Sequence, residues 1–109
     1  MPTAYKVLGQ SAPAATTATA LYTVPAATST VCSTLTVCNR DSSSTTYRIA
    51  VRPAGASLAN VHYIVYDAIL PANSTDTISI GATLATTDVV TVYAGSANLS
   101  FTLFGSELT

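Results

Sequence analysis

Residues 30–40, TVCSTLTVCNR, followed by DSSS (41–44) and TTYRIAVRP (45–53), decide the fold class. The first run alternates, placing Val31, Ser33, Leu35 and Val37 on one face of an extended strand and Cys32, Thr34, Thr36 and Cys38 on the other. The Asp-Ser cluster is a turn signal, after which Tyr47, Ile49 and Val51 alternate with Arg48, Ala50 and Arg52. Two alternating runs around a polar turn predict an antiparallel hairpin.

The same grammar extends in both directions. Upstream, ALYTVP (20–25) is a strand ended by Pro25, and AYKVLGQ (4–10) is a shorter one. Between them SAPAATTATA (11–20) is a low-complexity stretch that buries too little to fix itself, and it is expected as an extended N-terminal arm or loop. Downstream, VHYIVYDAIL (61–70) is apolar on both faces, with Val61, Tyr63 and Val65 against Ile64 and Tyr66. Such a strand is expected to be covered on both sides, one cover being open to another subunit. DTISIGA (76–82) directs Ile78 and Ile80 inward, VVTVYAG (89–95) alternates, and NLSFTLFGSEL (98–108) sets Leu99, Phe101 and Leu103 against Ser100, Thr102 and Phe104. Turn clusters recur about every ten residues, as in a sandwich or barrel. About eight strands result, predicting an all-β chain folded as an antiparallel β-sandwich of jelly-roll or Greek-key type. Helix has little support, because Glu, Lys, Gln and Met are scarce. The 109 residues suffice for a single domain, 1–109.

Charge is the most informative part of the composition. Apolar residues make up 49%, which is ordinary, whereas charged residues make up 8%, against a typical share of about 25%. Net charge is -1, so little keeps neighbouring copies apart. A surface of Thr, Ser and Ala costs less to bury than one of Lys and Glu, which suits contact with other subunits; a low-charge extracellular monomer is the plainer reading. Four basic residues against five acidic ones leave no basic face for nucleic acid. No stretch approaches the roughly 20 apolar residues that cross a bilayer, and MPTAYKVLGQ lacks the regions of a secretory signal. The expectation is a chain folded in a cytoplasm, or a mature one delivered by other means, with no nucleic-acid or membrane partner.

Nothing along the chain amounts to catalytic machinery, so no enzyme activity and no cofactor is expected. Cys32 and Cys38, six residues apart on one strand, lie about 20 Å from each other, beyond disulfide reach, and read as small, half-buried thiols. With one distant histidine they match no usual zinc spacing. His62 is flanked by Val61 and Tyr63, and Asp67 falls on the opposite side of the strand, so a packing or interface role outweighs general-base chemistry. The serines lack a G-x-S-x-G elbow, and Asp41, Asp67, Asp76, Asp88 and Glu107 are scattered, mostly where Asp caps a loop. Asn73-Ser-Thr and Asn98-Leu-Ser match the short N-glycosylation acceptor, which recurs by chance. Tyr22, Tyr47, Tyr63, Tyr66 and Tyr93 serve equally as core, as protein interface or as a sugar-stacking surface.

The run LYTVPAATSTVCSTLTVCNRDSSSTTYRIAVRP (21–53) and the ending ISIGATLATTDVVTVYAGSANLSFTLFGSEL (78–108) resemble small structural proteins encoded among the virion genes of tailed bacteriophages, including phages of cyanobacteria. The resemblance covers nearly the whole chain from Leu21 onward. It consists of an LYTVP strand, a strand ending in CNR, a short polar turn, a second strand and a TTDVVTVYA run, and includes no catalytic signature. It implies a β-sandwich that associates with itself, as a homotrimer, on a symmetric framework. The role implied first is a capsid decoration (cement) protein of the virion, assembled in the host cytoplasm, that bridges and stabilises major capsid proteins. A tail, baseplate or fibre-associated protein is the alternative, and a receptor- or carbohydrate-binding module at the tail tip is a different class. The expected contact residues are His62, Tyr63 and Tyr66 on the doubly apolar strand, with Ala14, Ala15, Thr16, Thr17, Ala18 and Thr19 in the arm.

Overall fold

The computed structural model describes residues 3–109. Nine strands form: β1 (Thr3–Ser11), β2 (Thr19–Thr23), β3 (Ser29–Asn39), β4 (Thr45–Arg52), β5 (Tyr63–Leu70), β6 (Thr75–Ile78), β7 (Ala82–Leu84), β8 (Val89–Ala94) and β9 (Leu99–Leu108). Each run of alternating residues in the sequence becomes a strand. The run 76–82 does not stay one strand: the chain leaves the ladder between Ser79 and Gly81, where Gly81 adopts a positive φ of 57°, and β7 takes up Ala82 with Thr83 and Leu84 of the expected connection.

The fold is all-β, two antiparallel sheets packed as a sandwich. One sheet has the order β1-β9-β3-β6, with β7 also paired to β3, and the other has the order β2-β8-β4-β5. Only β4 and β5 are consecutive strands that pair, so the chain passes repeatedly from one sheet to the other. Inward side chains of both sheets meet in one core. Leu35, Val37, Leu99, Phe101 and Leu103 come from the first sheet, and Tyr47, Ile49, Val90 and Val92 from the second.

The hairpin expected of residues 30–53 does not form: β3 and β4 lie in different sheets. Alternation reports that a run is extended and which face is apolar, but it does not choose the partner. The five-residue connection 40–44 crosses between sheets instead, and buried Asn39 holds it there. The Asn39 side-chain amide donates to the carbonyls of Ser43 (3.0 Å), Leu70 (3.3 Å) and Pro71 (3.1 Å), while its Oδ1 accepts from the Asp41 amide (3.0 Å).

A second departure lies within β3. Leu35 and Val37 are buried as expected, but Val31 and Ser33 are exposed and Cys32 is buried. The pairing with β9 skips Ser33, since Cys32 faces Gly105 and Thr34 faces Phe104. This one-residue bulge inverts every side chain before it. The bulge is satisfied: the Ser33 hydroxyl donates to the Phe104 carbonyl, and its own carbonyl accepts from the Ile80 amide. Gly105 makes it possible, because a Cβ there would collide with the Val31 carbonyl oxygen. β1 bulges at the same level on the other side of β9, skipping Leu8 between the pairs Val7–Phe104 and Gly9–Leu103.

β5 is not covered on both sides. It is an edge strand whose Val65, Ala68 and Leu70 turn to the core while Ile64, Tyr66 and Ile69 stay exposed. The expected arm is short: Ser11 closes β1, Thr19 and Ala20 open β2, and the loop between them is tied to β8 by a hydrogen bond from the Thr16 amide to the Ala94 carbonyl (2.8 Å).

Candidate functional site

All four basic and all five acidic side chains are engaged within the chain. Lys6 pairs with Glu107 (3.0 Å) and Arg48 with Asp67 (2.6 Å). Arg40 donates to the Ser100 hydroxyl and the Ala97 carbonyl, and Arg52 to the Thr91 hydroxyl and the Ala56 carbonyl. Asp88 caps the amides of Ala54 and Ala85, and Asp41 accepts from Asn98 and the Ser42 amide. Asp76 accepts from the Tyr47 hydroxyl (2.8 Å) and Glu107 from the Tyr22 hydroxyl. The last two bonds clasp the sheets together at opposite sides of the sandwich. The clasps also perturb titration. Burial and Glu107 push the Tyr22 phenol up to about 12. Burial and Asp76 raise Tyr47 likewise, and the Tyr22 hydroxyl, then Lys6, hold the Glu107 carboxyl below its usual range.

With its charges so engaged, the surface is distinguished by uncovered apolar side chains, which gather in two places. On the outer face of the five-stranded sheet, Tyr5 (86% exposed), Val7 (46%), Val31 (40%) and Phe104 (37%) sit on three neighbouring strands, β1, β3 and β9. The paired bulges beside Phe104 create this patch by turning Val31 outward next to it. Tyr5, Val31 and Phe104 line a shallow depression with Ser33 and Lys6.

The second place is β5 and the turn before it, with Val61 (86% exposed), Ile64 (51%), Tyr66 (57%) and Ile69 (73%). Arg48 organises its centre. The Arg48 guanidinium lies 4.2 Å from the ring centre of Tyr66 and 4.4 Å from that of Tyr93, and two of its nitrogens bond the Asp67 carboxylate. A guanidinium held between two rings and a carboxylate is fixed in place. Asp67 reaches it because a bulge sets its backbone in the left-handed region, φ 51°. Tyr63 stands edge-on to Tyr66 at 4.9 Å, and both line a shallow depression with Asn60.

Of the expected contact residues, Tyr63 and Tyr66 come together here. His62 sits half-buried at the foot of β5, its Nδ1 accepting from the Ala59 amide (3.0 Å), which fixes a tight turn. Ala14 to Ala18 are exposed on the loop tied to β8, and half-buried Thr19 opens β2, which pairs with β8; none lies beside the tyrosines' strand. Tyr22 and Tyr47 are core residues with hydrogen-bonded hydroxyls. Tyr5, Val7, Val31 and Phe104 were not expected as a site. Phe104, on the otherwise polar side of the last strand, was the one visible signal.

Among the described residues no three His, Cys, Asp or Glu side chains lie close enough to hold a metal ion, and no helix is long and apolar enough to cross a membrane. No protein-family model, curated protein or solved structure matches the chain.

Proposed function

We propose that the chain is a structural protein of a tailed-phage virion, a decoration (cement) protein that bridges major capsid proteins on the outside of the shell. One observation carries the reading: two outer faces bear uncovered aromatic and aliphatic side chains, while every charged side chain is engaged within the chain. Covering such a surface removes apolar area from water at about 25 cal/mol per Å² and strands no ionised group that lacks a hydrogen-bond partner of its own. The order β1-β9-β3-β6 over β2-β8-β4-β5 supports a jelly-roll reading, a winding that recurs among viral capsid domains. Additive small contacts on a symmetric shell multiply into a large gain without any strong single bond.

A glycan-binding role at a tail tip draws on Asn60, Tyr63 and Tyr66 around one depression. Arg48 already occupies one face of Tyr66, which leaves less ring open for a sugar to stack on and favours the protein-contact reading. The test is to locate the tagged chain in assembled particles by electron microscopy. Regular density on the capsid surface, and shells that break at lower temperature without it, support the proposal. Density confined to the tail, or absence from particles, refutes it.

A further inference from the structure

We infer that the outer face of the five-stranded sheet, centred on Phe104, Val31 and Tyr5, seats the same face of a second copy of this chain, giving a closed two-fold pair. The pair takes the place of the homotrimer that the resemblance implies, and it rests on the assembly reading for the premise that the surface is meant to be covered.

Three observations lead to the second copy. The first concerns the sheet edges, the other obvious route to association. Every edge is interrupted: β1 skips Leu8, β2 skips Leu21, β5 carries two bulges, and the edge formed by β6 and β7 is broken between Ser79 and Gly81. Bulged and broken edges do not extend a ladder into a neighbour, so association falls to side-chain faces.

The second concerns shape and area. Phe104, Val31 and Tyr5 come from adjacent paired strands, whereas the apolar side chains of β5 follow one doubly bulged edge. Beyond the patch the same face continues as short hydroxyl side chains, with Thr102 opposite Thr36 and Thr36 opposite Thr77, and carries Arg40 at its far end beside Ser100. A sheet face packs on another at about 10 Å. The molecule measures 45 by 27 by 19 Å, so its broad side spans at most about 1,200 Å² against the roughly 800 Å² per partner of a stable interface. Most of one face suffices.

The third is charge. Lys6, at the rim of the patch, is already paired with Glu107. Arg40, bonded to the Ser100 hydroxyl, stands at the far end of the face. A two-fold axis near Phe104 sends the two Arg40 side chains to opposite ends, so two copies meet without like charges facing each other; an isologous contact needs only a surface that tolerates itself.

The test is sedimentation of the purified full chain over a wide concentration range. A monomer–dimer equilibrium is expected. Phe104→Lys places two like charges near the two-fold axis and should weaken the pair about thirtyfold or more. Tyr5→Lys, at a side chain with almost no intramolecular packing, should do the same and guards against loss of folding, which circular dichroism monitors. Ile69→Lys on β5 should leave the pair intact. A monomer at all concentrations, a trimer, a pair that survives both patch variants, or one lost in Ile69→Lys overturns the inference. These results are read in solution, so failure here is distinct from failure of the capsid reading, which is decided in particles.

Discussion

Tyr22→Phe isolates one of the two clasps that join the sheets. The ring is buried and unchanged by the substitution, so packing is preserved and only the hydroxyl is lost. That hydroxyl bonds the Glu107 carboxylate and shares a 2.8 Å hydrogen bond with the fully buried Thr30 hydroxyl. A hydrogen bond to a charged group contributes about 1.5–3 kcal/mol, and a stranded buried hydroxyl costs about 1 kcal/mol more. Glu107 keeps Lys6, which limits the total to about 2–4 kcal/mol. A chain of this length has about 5–15 kcal/mol of stability, so the loss is plain in urea unfolding followed by circular dichroism. The pH dependence provides a second readout. Because the folded Glu107 carboxyl is held below its ordinary value of 4.5, it contributes stability above that pH, lost as pH falls through the folded value. Because the folded Tyr22 phenol is raised from 10.0 to about 12, it contributes stability below pH 10, lost as pH rises through that window. The variant should flatten both limbs. A neutral-pH change under about 0.5 kcal/mol, with both limbs unaltered, would refute the clasp.

Asn39→Ala should destabilise by about 3 kcal/mol, since it strands carbonyls of two loops and the Asp41 amide at once; chemical denaturation measures it. Gly105→Ala should cost about 1–3 kcal/mol by forcing β9 away from Val31, read as a fall in melting temperature. The Cys32 thiol, fully buried and pushed up to about 11 by that burial, should resist alkylation in the native protein, whereas half-buried Cys38 should react; mass spectrometry of labelled peptides separates the two.

Which residues extend was plain in the sequence, and which strands pair was not. Leu99, Phe101 and Leu103 point inward as their alternation predicts, and so do Tyr47 and Ile49. Alternation stops predicting direction where one extra residue enters a strand. Ser33 has no chemical mark of a bulge, yet it turns Val31 outward and Cys32 inward, so a patch drawn from β1, β3 and β9 shows in the sequence only through Phe104. β5 misled for the same reason: its bulges at Ile64 and at Tyr66–Asp67 mix core-facing and outward positions, which reads in one dimension as a strand apolar on both sides. Tyr63 and Tyr66 are legible as a pair because they are close in sequence. Arg48 and Tyr93, which complete their cluster, arrive from strands fixed only by the sheet order.

A chain with 8% charged residues has few means of discouraging unwanted association, and this one uses backbone geometry in their place. Natural sheets commonly guard their edges with lysines; here the edges are guarded by bulges and a break, and the faces are left open. Edges of this kind favour association through side-chain surfaces of defined shape over an extended ladder. Contacts made this way should also respond to salt in a characteristic manner. At the apolar patch the one charged side chain, Lys6, is already paired with Glu107, so moderate salt has little attraction between copies to screen. The association constant from sedimentation should therefore hold nearly constant as sodium chloride rises from low to physiological strength, while a steep decline would mean that ions carry the contact and that the apolar faces do not.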